Sequence, residues 1–170
     1  MASNVPMTSS GTALKASSET FHGVGFTVGS EEFCVDILKV QEIIRMVPIT
    51  AMPNAPEFVE GVINLRGKII PVIDFRKRFH IYDGGEGDEE TRRIIVVSFG
   101  RVTVGMIVDK VSQVIKITAD LISPTPDVVK GFDSDYISGV ARVGERLIIL
   151  LELEVLFAQY GLDQMGEVAA

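Results

Sequence analysis

The sequence has no tryptophan, one cysteine and two histidines, and each scarcity removes a class of function. A single Cys34 excludes an internal disulfide, and its Phe33-Cys34-Val35 setting reads as a small packing residue in a strand rather than a reactive thiol. A zinc site needs three or four ligands, more than one cysteine and two scattered histidines supply, so no metal is expected. Nucleophilic catalysis needs a base within reach of Ser or Cys. His22 opens the first strand and His80 stands beside an acidic loop, neither near a nucleophile elbow. The glycines of Gly23-Val24-Gly25 and Val28-Gly29 are followed by no Gly-Lys-Ser/Thr and no helix, so they form no phosphate loop. Asp36, Asp74 and Asp109 fall at strand ends, where aspartates cap turns more often than they form acid–base pairs. The expectation is a protein without catalytic residues or cofactor.

Long apolar runs are also missing. None approaches 18 residues, so no membrane span is expected. The N-terminus lacks a basic region followed by an apolar core, so no secretory signal is read and a cytoplasmic location follows by elimination. Positive charge is scarce: 16 Lys and Arg against 23 Asp and Glu leave a net charge of −7. A nucleic-acid binder needs a basic face, and a base-stacking barrel needs aromatics beyond the 7% present. The one basic cluster, Arg76-Lys77-Arg78, reads as a solvated helix face.

What is abundant is apolar residues, 46% of 170, with a mean hydropathy of +0.31. That length suits one compact domain or two small lobes sharing a core. The apolar surplus fits many buried strands, or some apolar surface kept open for partners. Residues 1–20 are rich in Ser, Thr and Ala and read as a disordered tail, and 161–170 as a flexible C-terminus. Between them lie about ten short β-branched runs separated by Gly, Pro and Asp. The stretch Asp83-Gly84-Gly85-Glu86-Gly87-Asp88-Glu89-Glu90 has nothing to bury and reads as an exposed loop between two halves, 21–90 and 91–160. Leu153, Leu156, Phe157 and Tyr160 recur at i, i+3, i+4 and i+7, the face of a short closing helix expected to pack across the lobes.

The halves repeat each other. A shift of 71 brings Gly29 onto Gly100, Ile37 onto Val108, Lys39-Val40 onto Lys110-Val111, Ile43-Ile44 onto Val114-Ile115 and Pro53 onto Pro124. A shift of 78 then brings Gly61-Val62 onto Gly139-Val140, Ile70 onto Ile148 and Phe79 onto Phe157, with the extra seven residues around Gly131 to Ile137. Repeats of this kind are single supersecondary units that bury their apolar faces against each other. Five short strands suit a small barrel, which removes sheet edges by closure. The fold expected is all-β: two SH3-like five-stranded β-barrels with short helices, related by internal pseudo-duplication and leaving a groove between them.

Two segments carry candidate recognition. Gly61-Val62-Ile63-Asn64-Leu65-Arg66-Gly67-Lys68-Ile69-Ile70-Pro71-Val72-Ile73-Asp74 is strand, tight turn, strand, with Gly67 supplying the positive φ and Arg66 projecting from the tip. Pro71 implies an edge or a bulge. In Asp36-Ile37-Leu38-Lys39-Val40-Gln41-Glu42-Ile43 the apolar spacing is too irregular for a clean strand and suggests a tight helical turn. If a pseudo-twofold relates the halves, Val40 and Val111 flank one groove that suits an apolar helix tip; ordinary core burial is the alternative.

At these residues, and at Val104-Gly105-Met106-Ile107-Val108-Asp109-Lys110-Val111 and Gly144-Glu145-Arg146-Leu147-Ile148-Ile149-Leu150-Leu151, the chain resembles the CheW family of chemotaxis coupling proteins. The resemblance runs from about Phe21 to Tyr160. It implies twin SH3-like barrels and a non-catalytic adaptor. Such an adaptor joins methyl-accepting chemotaxis receptor tips to the regulatory domain of the CheA histidine kinase, assembling in membrane-bound arrays rather than as a stable homo-oligomer. The pathway output, swimming or another, stays open. Carried over, Ile37, Val40, Glu42, Ile43 and Val111 are receptor-groove positions, with Ile115 placed beside them, and Arg66 matches the family arginine linked to receptor coupling. The kinase-binding residues are not placed.

Overall fold

The computed structural model describes residues 20–81, 89–124 and 136–158. The expected tail up to residue 19, most of the acidic loop, the long second-half loop, Tyr160 and the C-terminus lie outside them, while Thr20, expected in the tail, opens the first strand. The elements in order are β1 (Thr20–Val28), β2 (Glu31–Asp36), a 3-10 turn (Ile37–Lys39), β3 (Val40–Arg45), β4 (Val59–Leu65), β5 (Lys68–Asp74), α1 (Phe75–Phe79), β6 (Arg93–Phe99), β7 (Val102–Val108) and β8 (Lys110–Thr118). A second 3-10 turn (Ala119–Leu121), β9 (Ile122–Ser123), β10 (Ile137–Val143), β11 (Arg146–Leu151) and α2 (Leu153–Ala158) complete them.

The strands form two sheets, ordered β8-β1-β2-β11-β10-β9 and β3-β6-β7-β5-β4. Each curls closed through a short reach of chain. Beyond β3, Thr50 exchanges two 2.9 Å backbone hydrogen bonds with Val62 of β4. Beyond β8, the second 3-10 turn carries the chain to β9, where Ser123 pairs with Val140. The all-β, two-barrel layout expected from the sequence is the one found.

The duplication is visible in the register. Val40 pairs with Val97 and Ile43 with Ile95; the equivalent residues 71 positions away, Val111 with Phe26 and Val114 with Val24, also pair. The parallel pair Val72 with Gly105 is matched by Leu150 with Cys34. Both outer ladders carry a register break at the same place, after Val40 and after Val111. One expected equivalence fails. Ser123 rather than Leu121 takes the place of Thr50, so Pro124 is not the mate of Pro53. β8 runs on to Thr118 and adds a 3-10 turn, whereas β3 stops at Arg45, and this absorbs two residues.

The division at residue 90 is not a boundary between sheets. The second sheet uses β3 to β7, a continuous stretch, and the first uses β1, β2 and then β8 to β11. Each half lends its opening hairpin to the other half's barrel. Internal symmetry hides this exchange, because a strand meets the same residue types in either arrangement. Pro71 also departs from expectation: β5 lies inside its sheet. The residue is tolerated because it stands just before the parallel ladder with β7 begins at Val72.

Three apolar clusters follow. Cys34, Ile115, Ile117, Ile148 and Leu150 fill the first barrel. Ile63, Ile70, Val72, Ile94, Val96 and Ile107 fill the second. A larger cluster lies between them, built on Phe26, Phe33 and Phe75, with Phe75 edge-on to the other two at 5.2 and 5.1 Å. Each closing helix reaches across: Phe75 of α1 meets strands of the first sheet, and Phe157 of α2 stacks on Phe99 at the end of β6, 5.6 Å away. Buried aromatic side chains are each worth about 1.5–3 kcal/mol, so this middle layer binds the barrels into one body.

Candidate functional site

The chain leaves the first barrel at Asp36. The Asp36 carboxylate accepts the Leu38 N–H at 2.9 Å and caps the Ile37–Lys39 turn, the helical turn expected from the irregular spacing. Ile37 and Val40 rest half-buried on the middle cluster. Leu38 between them points outward and is 88% exposed, more than any other large apolar side chain among the described residues. The equivalent crossing in the second half is the single residue Asp109 between β7 and β8, with no turn.

β3 then alternates. Glu42 and Ile44 face in, while Gln41, Ile43 and Arg45 face out, Ile43 being 40% exposed. The tip of the β4–β5 hairpin reaches β3 at Glu42. Its two-residue turn has positive φ at Arg66 (55°) and Gly67 (86°), and Asn64 accepts the Gly67 N–H at 3.0 Å. Arg66 pairs with Glu42 across the two elements. Its hydrogen bond holds the Glu42 carboxyl below the usual glutamate range. Arg66 was expected as a free tip; it is an exposed tip anchored at one end.

The turn is also held from behind. Lys39 Nζ donates to both carboxylate oxygens of Glu154 on α2, at 2.7 and 2.6 Å. Burial would push the Glu154 carboxyl up, but the Lys39 hydrogen bond, a backbone N–H and the Lys39 charge together hold it below its usual value. Beside this pair opens a cleft of about 350 Å³, lined by Phe21, Asp36, Lys39, Ile122, Leu151 and Leu153 among others.

Of the seven residues expected at the site, Glu42 and Arg66 are brought together by their ion pair, and Ile43 is exposed on the other side of β3. Ile37, Val40 and Val111 are half-buried against the middle cluster, with Val40 and Val111 in equivalent positions. Ile115 is a correction. It is 9% exposed and inside the first barrel, because the register break after Val111 turns it inward. The cleft that forms is lined by the neighbours of Ile37 and Val40 rather than by the apolar set itself. Leu38 stood in the apolar set of the expected turn but was not among the site residues; Lys39 and Glu154 were missed. An apolar residue between a capping aspartate and a lysine was the available signal for Leu38; nothing in the sequence ties Lys39 to Glu154.

The basic cluster is not a solvated face. Arg76 pairs with Asp109 at 2.8 Å, Lys77 with Glu60 at 2.6 Å, and buried Arg78 lies over the rings of Phe58, Phe79 and Tyr136 at 5.9, 5.0 and 5.6 Å. Asp36 and Asp74 cap as expected, but Asp109 instead accepts the Gly29 N–H and the Arg76 guanidinium. Cys34 is fully buried, and burial and then Asp36 push its thiol up to about 12, so it carries no thiolate near neutral pH. No helix among the described residues is long and apolar enough to cross a membrane.

A family model described as the CheW-like domain matches residues 22–160. The chain is 42% identical over 144 residues to the chemotaxis protein CheW of Klebsiella aerogenes, covering 85% of this chain and 86% of that one. It is 32% identical over 155 residues to the chemotaxis protein CheW of Treponema pallidum, covering 90% and 91%. The crystal structure of a scaffolding protein, TtCheW from Thermoanaerobacter tengcongensis, superposes with a TM-score of 0.73 at 41% identity, covering 82% of this chain and 93% of that one.

Proposed function

The chain belongs to the CheW family of chemotaxis adaptors, and from that premise we propose that it couples the cytoplasmic tips of chemoreceptors to the regulatory domain of the CheA histidine kinase, without chemistry of its own. The receptor tip, a helical hairpin, docks on the face formed by the Ile37–Lys39 turn, β3 and the β4–β5 hairpin. Kinase control then passes through the geometry of the assembly, which brings the protein from the cytoplasm to membrane arrays. Individually modest contacts gain strength from repetition in such an array.

The observation that carries this reading is Leu38. A leucine almost wholly in water, on a capped turn that leads into the strand bearing exposed Ile43 and the Arg66-paired Glu42, is a ready anchor for an apolar helix face. Arg66 and Glu42 supply a polar rim.

Two substitutions test it. Leu38→Asp removes surface that the fold does not use, so the melting temperature should stay within about a degree or two of the parent. Binding to a soluble receptor fragment should fall about tenfold or more, the loss of an anchor worth over 1 kcal/mol. Arg66→Glu sets two carboxylates against each other at the rim and should lower both receptor binding and receptor-dependent kinase activity. Undiminished binding by both variants, measured by co-sedimentation, would remove the proposed face. Val40→Asp is a less clean probe, because Val40 packs on the middle cluster and its loss would lower stability as well.

A further inference from the structure

Two ion pairs occupy matching places in the two halves, with their charges exchanged. Arg76, second residue of α1, reaches Asp109, where the chain passes from the second barrel to the first. Glu154, second residue of α2, reaches Lys39, where the chain passes from the first barrel to the second. The Arg76–Asp109 pair is nearly sealed, its side chains 14% and 11% exposed, and Asp109 also takes the Gly29 N–H at 2.7 Å. The Lys39–Glu154 pair is open, at 26% and 49%. The sealed pair serves a crossing with no turn. The open pair serves the turn that carries Leu38.

We propose that Glu154 is a positioning residue for the partner-binding turn: through Lys39 it fixes the Ile37–Lys39 turn to α2, so that Leu38 is held ready for a receptor helix. This deepens the function proposed above and rests on it. The turn has three residues and buries none of them fully. Its attachments are the Asp36 cap, the half-buried side of Ile37 and the Lys39 strut. The far end of the strut is rigid, since Leu153, Leu156 and Phe157 around Glu154 are each about 1% exposed. A turn held at both ends loses less freedom when a partner closes on Leu38, and that saving appears as affinity.

The test uses the full chain and a soluble cytoplasmic fragment of a chemoreceptor, with affinity measured by titration calorimetry and folding by thermal melts. Open ion pairs contribute little, so Lys39→Glu and Glu154→Lys should each weaken binding by about two- to fivefold. The exchanged double variant, Lys39→Glu with Glu154→Lys, should recover most of that loss. Glu154→Gln, which removes the charge without repulsion, guards against a variant that fails to fold and should show a smaller loss in the same direction. Recovery in the double variant supports the strut, since a residue touching the partner directly would not be rescued by reversing its neighbour. Single variants with parental affinity, while Leu38→Asp still binds poorly, would overturn the strut and leave the docking face standing. Losses that persist in the double variant would also overturn it. Parental affinity in every variant, Leu38→Asp and Arg66→Glu included, would overturn the docking face and the strut together.

Discussion

Asp74 illustrates how a single side chain can serve the fold at some cost. Its carboxylate accepts the Arg76 N–H at 2.9 Å and caps α1, yet burial raises its pKa above the usual aspartate value, with the nearby Glu60 charge adding to the rise. The folded state therefore holds this proton more tightly than the unfolded chain. Asp74 contributes most to stability below the ordinary aspartate pKa of about 3.9, and that contribution fades as pH rises through its raised value. Asp74→Asn keeps a cap without the charge. Urea midpoints should show the parent losing stability relative to Asp74→Asn as pH rises above about 4, whereas a flat difference would place the charge in a better-solvated setting. Asp74→Ala loses the cap and should cost about 1 kcal/mol near pH 4, and less as pH rises. The capping roles of Asp36 and Asp74 were legible because a cap acts within two or three residues of itself. The pairing roles of Asp109 and Glu154 were not, because their partners lie 33 and 115 residues away and composition carries no trace of such pairs.

Among the elements, the turn and register of the β4–β5 hairpin were legible, since a two-residue turn with glycine imposes its own register on the flanking strands, but the inner place of β5 in its sheet was not. The closures of the barrels were not: they rest on one bridge, Thr50 with Val62, and on a two-residue strand, too short for any periodicity to show. Two glycines separate these roles. Gly61 has φ 149°, and a Cβ there would be driven into the Thr50 carbonyl that closes the second barrel. Gly67 has φ 86° with open space around it. Gly67→Ala should cost about 1 kcal/mol from backbone conformation alone. Gly61→Ala should cost about 1–3 kcal/mol through overpacking at the closure, and it should raise hydrogen exchange at Thr50 and Val62 while leaving β10 and β11 protected. Equal costs at the two positions would mean that the closure yields freely. At the site, the apolar positions on β3 were readable from sequence, but Ile115 was not, because a register break moves it from the outside of a barrel to its interior.

For the molecule as a whole, the exchange of opening hairpins decides what can fold alone. Residues 1–90 contain β1 to β5 but lack β6, β7 and β8; residues 91–170 lack the complementary set. Neither half, expressed separately, should give a cooperative melt, and mixing the two should restore one. A sharp transition from either alone would contradict the interleaved topology. The repeat in the sequence told how many barrels to expect, and symmetry concealed which strands each would own. The same nesting imposes an order on birth at the ribosome. The inner barrel, β3 to β7, emerges as one uninterrupted stretch and has all its strands once Val108 is clear. The hairpin β1–β2 emerges earliest but must wait for β8 on one flank and β11 on the other, the latter 116 positions further along. Until then two unsatisfied strand edges trail from the nascent chain. Synthesis of this protein therefore ends, rather than begins, with the sealing of its N-terminal strands.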